Sequence, residues 1–154
     1  MADKLTRDEL IYMAKVCEQT ERFEDMLDYM KKVLKCDDQE LSVEDRNLLS
    51  VAYKNCVGTK RTSWRILDTL EKKERSKGEG DQKNLNLVVE FKKKVEKELD
   101  EICKEIIKTL DEVLIPNSKE ASSKVFYLKM KGDYFRYIAE YNLSSDNKDD
   151  SIPQ

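Results

Sequence analysis

The sequence predicts an all-α protein, an antiparallel helical bundle of about five helices. Three observations carry this. Glycine and proline, the residues that interrupt helices, are scarce at 4 and 2 of 154 positions. Apolar residues recur at steps of three and four along most of the chain, and long β-branched runs are absent. The segments so marked are long and joined by short polar stretches, which makes neighbouring helices antiparallel. With 39% hydrophobic residues, the chain supports one compact domain, expected over 1–142, followed by a disordered acidic tail over 143–154 that is polar and ends in Ile-Pro-Gln.

Each helix has its own signature. Thr6 with Glu9 three residues on forms a capping box, and Leu10, Met13, Ala14 and Cys17 follow at helical spacing, giving a first helix over about 6–19. Phe23, Met26, Leu27, Met30, Val33 and Leu34 share one broad face of a second helix over about 22–35. Ser42, with Asp45 three on, caps a third that reaches about Arg75. Residues 76–81 contain two glycines and read as a surface loop. In the fourth helix, Val88, Phe91, Val95, Leu99, Ile102, Ile106, Leu110 and Val113 form a seam like that of a coiled coil, and Pro116 ends it. The fifth starts near Asn117 or Ser118 and runs to about Tyr141.

Composition narrows the chemistry. There is no histidine, which removes the usual general base and the commonest zinc ligand. Cys17, Cys36, Cys56 and Cys103 are widely separated and read as reduced thiols, mostly small core hydrophobes, so no metal and no cofactor is expected. Acidic pairs such as Asp100 with Glu101 are solvated helix charges, and no nucleophile with its base is present, so the chain is not expected to be an enzyme. No apolar run approaches a membrane span, and the N-terminus has no apolar signal core; the expected location is cytoplasmic. The net charge of −3 argues against bulk binding to nucleic acid or to a membrane surface.

The charge is nevertheless unevenly placed. Between Tyr53 and Arg65 stand Lys54, Lys60, Arg61 and Arg65 and no acidic residue. At about 100° per residue, Lys54, Arg61 and Arg65 lie within about 20° of one line along the third helix. Stacked like charges repel, and Gly58 near the same stripe costs about 1 kcal/mol relative to Ala, so a purely structural helix gains by losing both. In the fifth helix Lys129 and Arg136 are also seven apart, with Lys131 and Tyr137 close by and Asp133 able to hold an arginine. Three readings stand side by side: a solvated face balanced by acidic neighbours, a groove for a compact doubly charged anion, onto which guanidinium groups fork, and nucleic acid, which the buried-face tyrosines disfavour for want of a stacking platform. Trp64, beside the stripe, reads as a core residue.

The segment from Arg46 to Gly58 (RNLLSVAYKNCVG), followed by Arg61, Ser63, Trp64 and Arg65, closely resembles the third helix of the 14-3-3 family of phosphoserine/phosphothreonine-binding adaptors. The segment from Ser123 to Glu140 (SKVFYLKMKGDYFRYIAE) is similar to its fifth helix, and the resemblance extends from about Arg7 to Glu140. It implies a phosphate pocket of Lys54, Arg61, Arg136 and Tyr137, with Lys129 nearby toward the peptide. It also implies dimerisation of the first helix against the third and fourth helices of a second subunit. The charged contacts there map onto Arg22 with Glu98, Asp25 with Lys94 and Glu9 with Lys83, the apolar ones onto Val16, Leu67 and Phe91. Phe91 stands where the family has Tyr, and Lys60 where it often has Arg. Ser63 matches an interface serine that is phosphorylated in some members, where about −2 of charge opposes dimerisation.

The family fold has nine helices, and the resemblance covers its N-terminal five. The expectation is therefore a C-terminally truncated 14-3-3-like domain with an incomplete peptide groove. Its partners are phosphorylated proteins or peptides, and a second copy or a family member in a homodimer or heterodimer. The alternative is a dimerisation module that has lost phosphopeptide binding and pairs with full-length relatives.

Overall fold

The computed structural model describes the backbone of residues 5–36, 41–78 and 82–151, with side chains as far as Asn142. Among the described residues every regular element is helical. The helices are α1 (Arg7–Gln19), α2 (Phe23–Leu34), α3 (Val43–Ser76), α4 (Gln82–Thr109) and α5 (Ala121–Ser151). Between α4 and α5 lie a π-helical turn, Leu110–Leu114, and a short helical segment, Ile115–Asn117.

The predicted caps form. The Thr6 hydroxyl accepts the Glu9 N–H at 3.1 Å while the Glu9 carboxylate accepts the Thr6 N–H at 2.9 Å, closing the capping box of α1. Ser42 Oγ accepts the Asp45 N–H at 3.1 Å at the start of α3. The exit from α1 has no such signal in the sequence. Glu21 adopts the left-handed conformation at φ 58°, its N–H donates to the Glu18 carbonyl, and the Arg22 N–H donates to the Cys17 carbonyl at 2.8 Å. This pair of bonds is a Schellman motif with glutamate where glycine is usual.

Several expectations about the second half change. The buried line of α4 is Leu85, Lys92, Val95, Leu99, Cys103 and Ile106, and it continues to Leu110 and Leu114, whereas Phe91 is exposed and Val88, Ile102 and Val113 are half-buried. From Lys92 onward its steps average about 3.7 residues, the period of a straight helix rather than of a coiled-coil seam.

Pro116 does not end the helix. The Ile115 N–H donates to the Leu110 carbonyl five residues back, and this wider turn accommodates a ring that clashes with the carbonyl four residues before it in an ordinary α-helix. The helical path ends instead after Asn117, whose side-chain amide donates to the Val113 carbonyl at 2.6 Å. Ser118 is extended, so α5 begins at Ala121 and not near Asn117 or Ser118.

At its other end α5 passes both the expected limit near Tyr141 and the tail boundary at 143, reaching Ser151. After Gly132 no glycine or proline interrupts the chain before Pro153, which disfavours helix in the residue before it. Of the 76–81 loop, residues 79–81 lie outside the described residues, as do 152–154 at the end; Gly78 takes φ 81°, in the left-handed region that glycine adopts without a Cβ clash.

The chain divides into two compact units. The first comprises Met1–Cys56 and Glu105–Tyr134. Its core joins Leu10, Ala14, Met26, Met30, Leu49, Ala52, Ile106, Leu110 and Tyr127, each on the inward stripe of its helix. Tyr53 meets Tyr134 edge to face at 6.5 Å and donates to Glu105 at 2.8 Å, which also pairs with Lys31. Arg46 donates to Ser123 at 2.8 Å and stacks on Phe126.

The second unit comprises Val57–Lys104 and Phe135–Gln154. Val57, Trp64, Leu67, Val95, Leu99, Cys103 and Tyr141 are buried in it. Trp64 is a core residue as expected, its indole N–H donating to Glu96 at 2.7 Å and its ring lying under the Lys92 ammonium at 4.9 Å.

Candidate functional site

The second unit brings together Arg61 and Arg65 of α3 with Arg136, Tyr137 and Glu140 of α5. Arg61 and Arg65 are one helical turn apart, and so are Arg136 and Glu140, so each helix presents its pair on one face. Arg61 is held in two directions. Its Nε donates to Glu140 Oε1 at 3.3 Å and its Nη2 to Oε2 at 3.1 Å, while its guanidinium carbon lies 4.0 Å from the centre of the Tyr137 ring. Arg65 Nη2 donates to the same Glu140 Oε2 at 3.2 Å. The Arg136 guanidinium carbon lies 5.4 Å from the centre of that ring.

Glu140 therefore grips the side edge of the Arg61 fork and Tyr137 supports its flat face. Among the described residues no hydrogen bond engages the end edge, Nη1 with the second hydrogen of Nη2. Glu140 is shared by two guanidinium groups, those of Arg61 and Arg65. Burial works against ionisation of Glu140, but the hydrogen bonds and charges of Arg61 and Arg65 outweigh it and hold the carboxyl below the ordinary carboxylate range. Glu140 is thus ionised at neutral pH, and its bonds to Arg61 and Arg65 are charged hydrogen bonds.

Of the predicted pocket, Arg61, Arg136 and Tyr137 are together here. Lys54 is exposed on the stretch of α3 in the first unit, and Lys129 is exposed on the stretch of α5 in that unit. Arg65, part of the basic stripe but not of the predicted pocket, shares the Glu140 carboxylate. Glu140 is not among the residues that the sequence pattern singles out. Its one signal is its place a turn after Arg136, but its pairing with Arg61 spans 79 residues.

The residues expected at a dimer interface fall in two patches, one per unit. In the first, Arg22 pairs with its neighbour Asp25 at 2.6 Å, Val16 is half-buried, and the exposed Glu9 is engaged in the capping box. In the second, Ser63 is half-buried, Lys83 and Lys94 are exposed, and Glu98 pairs with Lys60 at 3.3 Å. Phe91 is 53% exposed, whereas Leu67 is buried within its own unit. Within the second unit α3 exposes Ile66 and Leu70, and α4 exposes Leu87 with Phe91, each pair one helical turn apart.

Among the described residues no helix is long and apolar enough to cross a membrane. All four cysteines are free thiols, with Cys17, Cys56 and Cys103 buried.

The 14-3-3 protein family profile matches residues 13–153. The 14-3-3-like protein GF14-E of Oryza sativa subsp. japonica is 52% identical over 147 residues, covering 95% of this chain and 55% of that protein. GF14 chi of Arabidopsis thaliana is 52% identical over 144 residues, covering 93% and 53%, and a 14-3-3-like protein of Solanum tuberosum is 51% identical over 145 residues, covering 94% and 54%. The chain spans about half the length of these curated relatives. A profile match across nearly the whole sequence, with half of the residues identical to those of several relatives, establishes that the chain belongs to the 14-3-3 protein family.

Proposed function

We propose that the chain is a non-catalytic adaptor that recognises phosphoserine or phosphothreonine in partner proteins through Arg61, Arg136 and Tyr137, joined by Lys54 with Lys129 peripheral. The observation that carries this reading is the Arg61 guanidinium, held at its side edge and on its face, with no hydrogen bond from a described residue on its end edge. That is the geometry a phosphate oxygen pair accepts bidentately. Lys54 enters on its spacing along α3. In the same proposal the chain dimerises through Glu9, Val16, Arg22 and Asp25 of one subunit against Ser63, Leu67, Lys83, Phe91, Lys94 and Glu98 of the other, and acts in the cytoplasm on proteins rather than on nucleic acid or membranes. Titration with a labelled phosphoserine peptide and its unphosphorylated twin tests the phosphate claim. The expected result is binding of the first alone, lost on Arg61→Ala; equal binding of both peptides overturns it.

A second reading is favoured by the exposed pairs Ile66 with Leu70 and Leu87 with Phe91. In it the chain is a dimerisation module that pairs with full-length family members without gripping phosphate. Its measurement is mass in solution, alone and mixed with a relative, and a strictly monomeric chain that ignores the relative refutes it.

A further inference from the structure

Glu140 is a carboxylate set among cations that are read as an anion site, where its charge opposes a bound anion. Glu140 contacts both Nε and Nη2 of Arg61 and shares one oxygen with Arg65, so it fixes the guanidinium in its own plane. The Tyr137 ring, 4.0 Å from the guanidinium carbon, restrains the remaining direction.

We propose that Glu140 is the positioning residue of this site: it fixes the plane of the Arg61 guanidinium so that its end edge faces the incoming phosphate. This deepens the phosphate reading and rests on it. An arginine side chain has many rotamers to lose when it grips a ligand, and one already clamped at an edge and a face has few. The gain in order offsets the repulsion between the Glu140 carboxylate and the bound phosphate.

The two effects of removing Glu140 have opposite signs, which makes the proposal testable. On charge alone, Glu140→Gln makes the site more positive and tightens phosphopeptide binding. On positioning, it loosens Arg61, and the expected result is binding about tenfold weaker. The experiment is anisotropy titration of the full chain, its Glu140→Gln, Arg61→Lys and double variants, with a phosphoserine peptide and its unphosphorylated twin. In the Arg61→Lys background there is no fork to hold, so Glu140→Gln is expected to cost nothing there. A general structural role gives the same loss in both backgrounds and overturns the proposal, as does unchanged or tighter binding by Glu140→Gln alone.

A second measurement needs no Glu140 variant. The Arg61 side-chain Nε–H, identified by its loss in Arg61→Lys, is expected as a sharp, exchange-protected NMR signal in the unliganded protein; a solvent-averaged signal counts against the clamp. If the unaltered chain fails to separate the two peptides, the phosphate reading itself falls and this inference with it. If it separates them but the cycle shows no coupling, only the inference falls.

Discussion

The ammonium of Lys92 lies 3.2 Å from the Glu71 carboxylate, with side chains only 4% and 2% exposed. Lys92 also donates to Asp68 at 2.6 Å. The outer oxygens of the two acids are taken by Arg75 and Lys72, so the lysine is a cation bridging two inner carboxylate oxygens. Removing one member of such a buried network leaves charge uncompensated, a loss of about 3 kcal/mol or more. Lys92→Met, which keeps an unbranched side chain one atom shorter, is therefore expected to lower the urea midpoint strongly. Replacing the exposed Lys93 by Met is expected to change it little.

The same network sets an acid limit. Burial opposes ionisation of Asp68, but hydrogen bonds from Lys92 and Lys72 and their charges hold its pKa below the ordinary 3.8. Glu140 is likewise held below 4.5. A folded-state pKa below the unfolded one stabilises the fold above the unfolded value, and that stability is lost as pH falls through the folded value. The helical CD signal is thus expected to hold down to about pH 4 and to fall below it. In Lys92→Met the Asp68 pKa rises again, and acid unfolding is expected to begin at higher pH.

Glu21 occupies a left-handed position that disfavours any residue with a Cβ. Its Schellman bonds are made by backbone atoms and survive substitution. Glu21→Gly is expected to stabilise the chain by about 1 kcal/mol. In a domain of this size a thermal melt reads that as a rise of about 2–4 °C.

The thiols differ in reactivity. Burial pushes Cys103 up to about 11, with a smaller contribution from Asp100 and an opposing one from Arg61. Burial also raises Cys17, reinforced by Asp25 and opposed by Arg22. Cys56 is buried and Cys36 only half-buried. A chromogenic disulfide reagent at neutral pH is expected to modify Cys36 first in the native protein and the other three only in denaturant. Fast labelling of Cys103, read by peptide mass, contradicts this.

Features that depend on neighbours three or four residues away are legible in the amino-acid sequence. The Thr6–Glu9 box, the Ser42 cap and the inward stripe of α2 are of this kind, because one helical turn brings such residues together whatever the rest of the chain does; the basic stripe of Lys54, Arg61 and Arg65 follows from the same period over three turns. The π turn before Pro116 and the left-handed Glu21 are local too. They escape a reading of the sequence because both are exceptions to the residue preferences on which such a reading relies.

Taken alone, the amino-acid sequence determined the helices, the family resemblance and which cations line up on one face of α3. Tertiary structure decided what those cations do. Glu140 meets Arg61 across 79 residues of sequence and Arg65 across 75, and Lys92 reaches Glu71 across 21. No periodicity encodes such pairs, because they exist only once separate helices have packed. Packing also turned Leu67 inward and left Ile66 and Leu70 at the surface, since the rotation of a helix about its own axis is fixed by its neighbours.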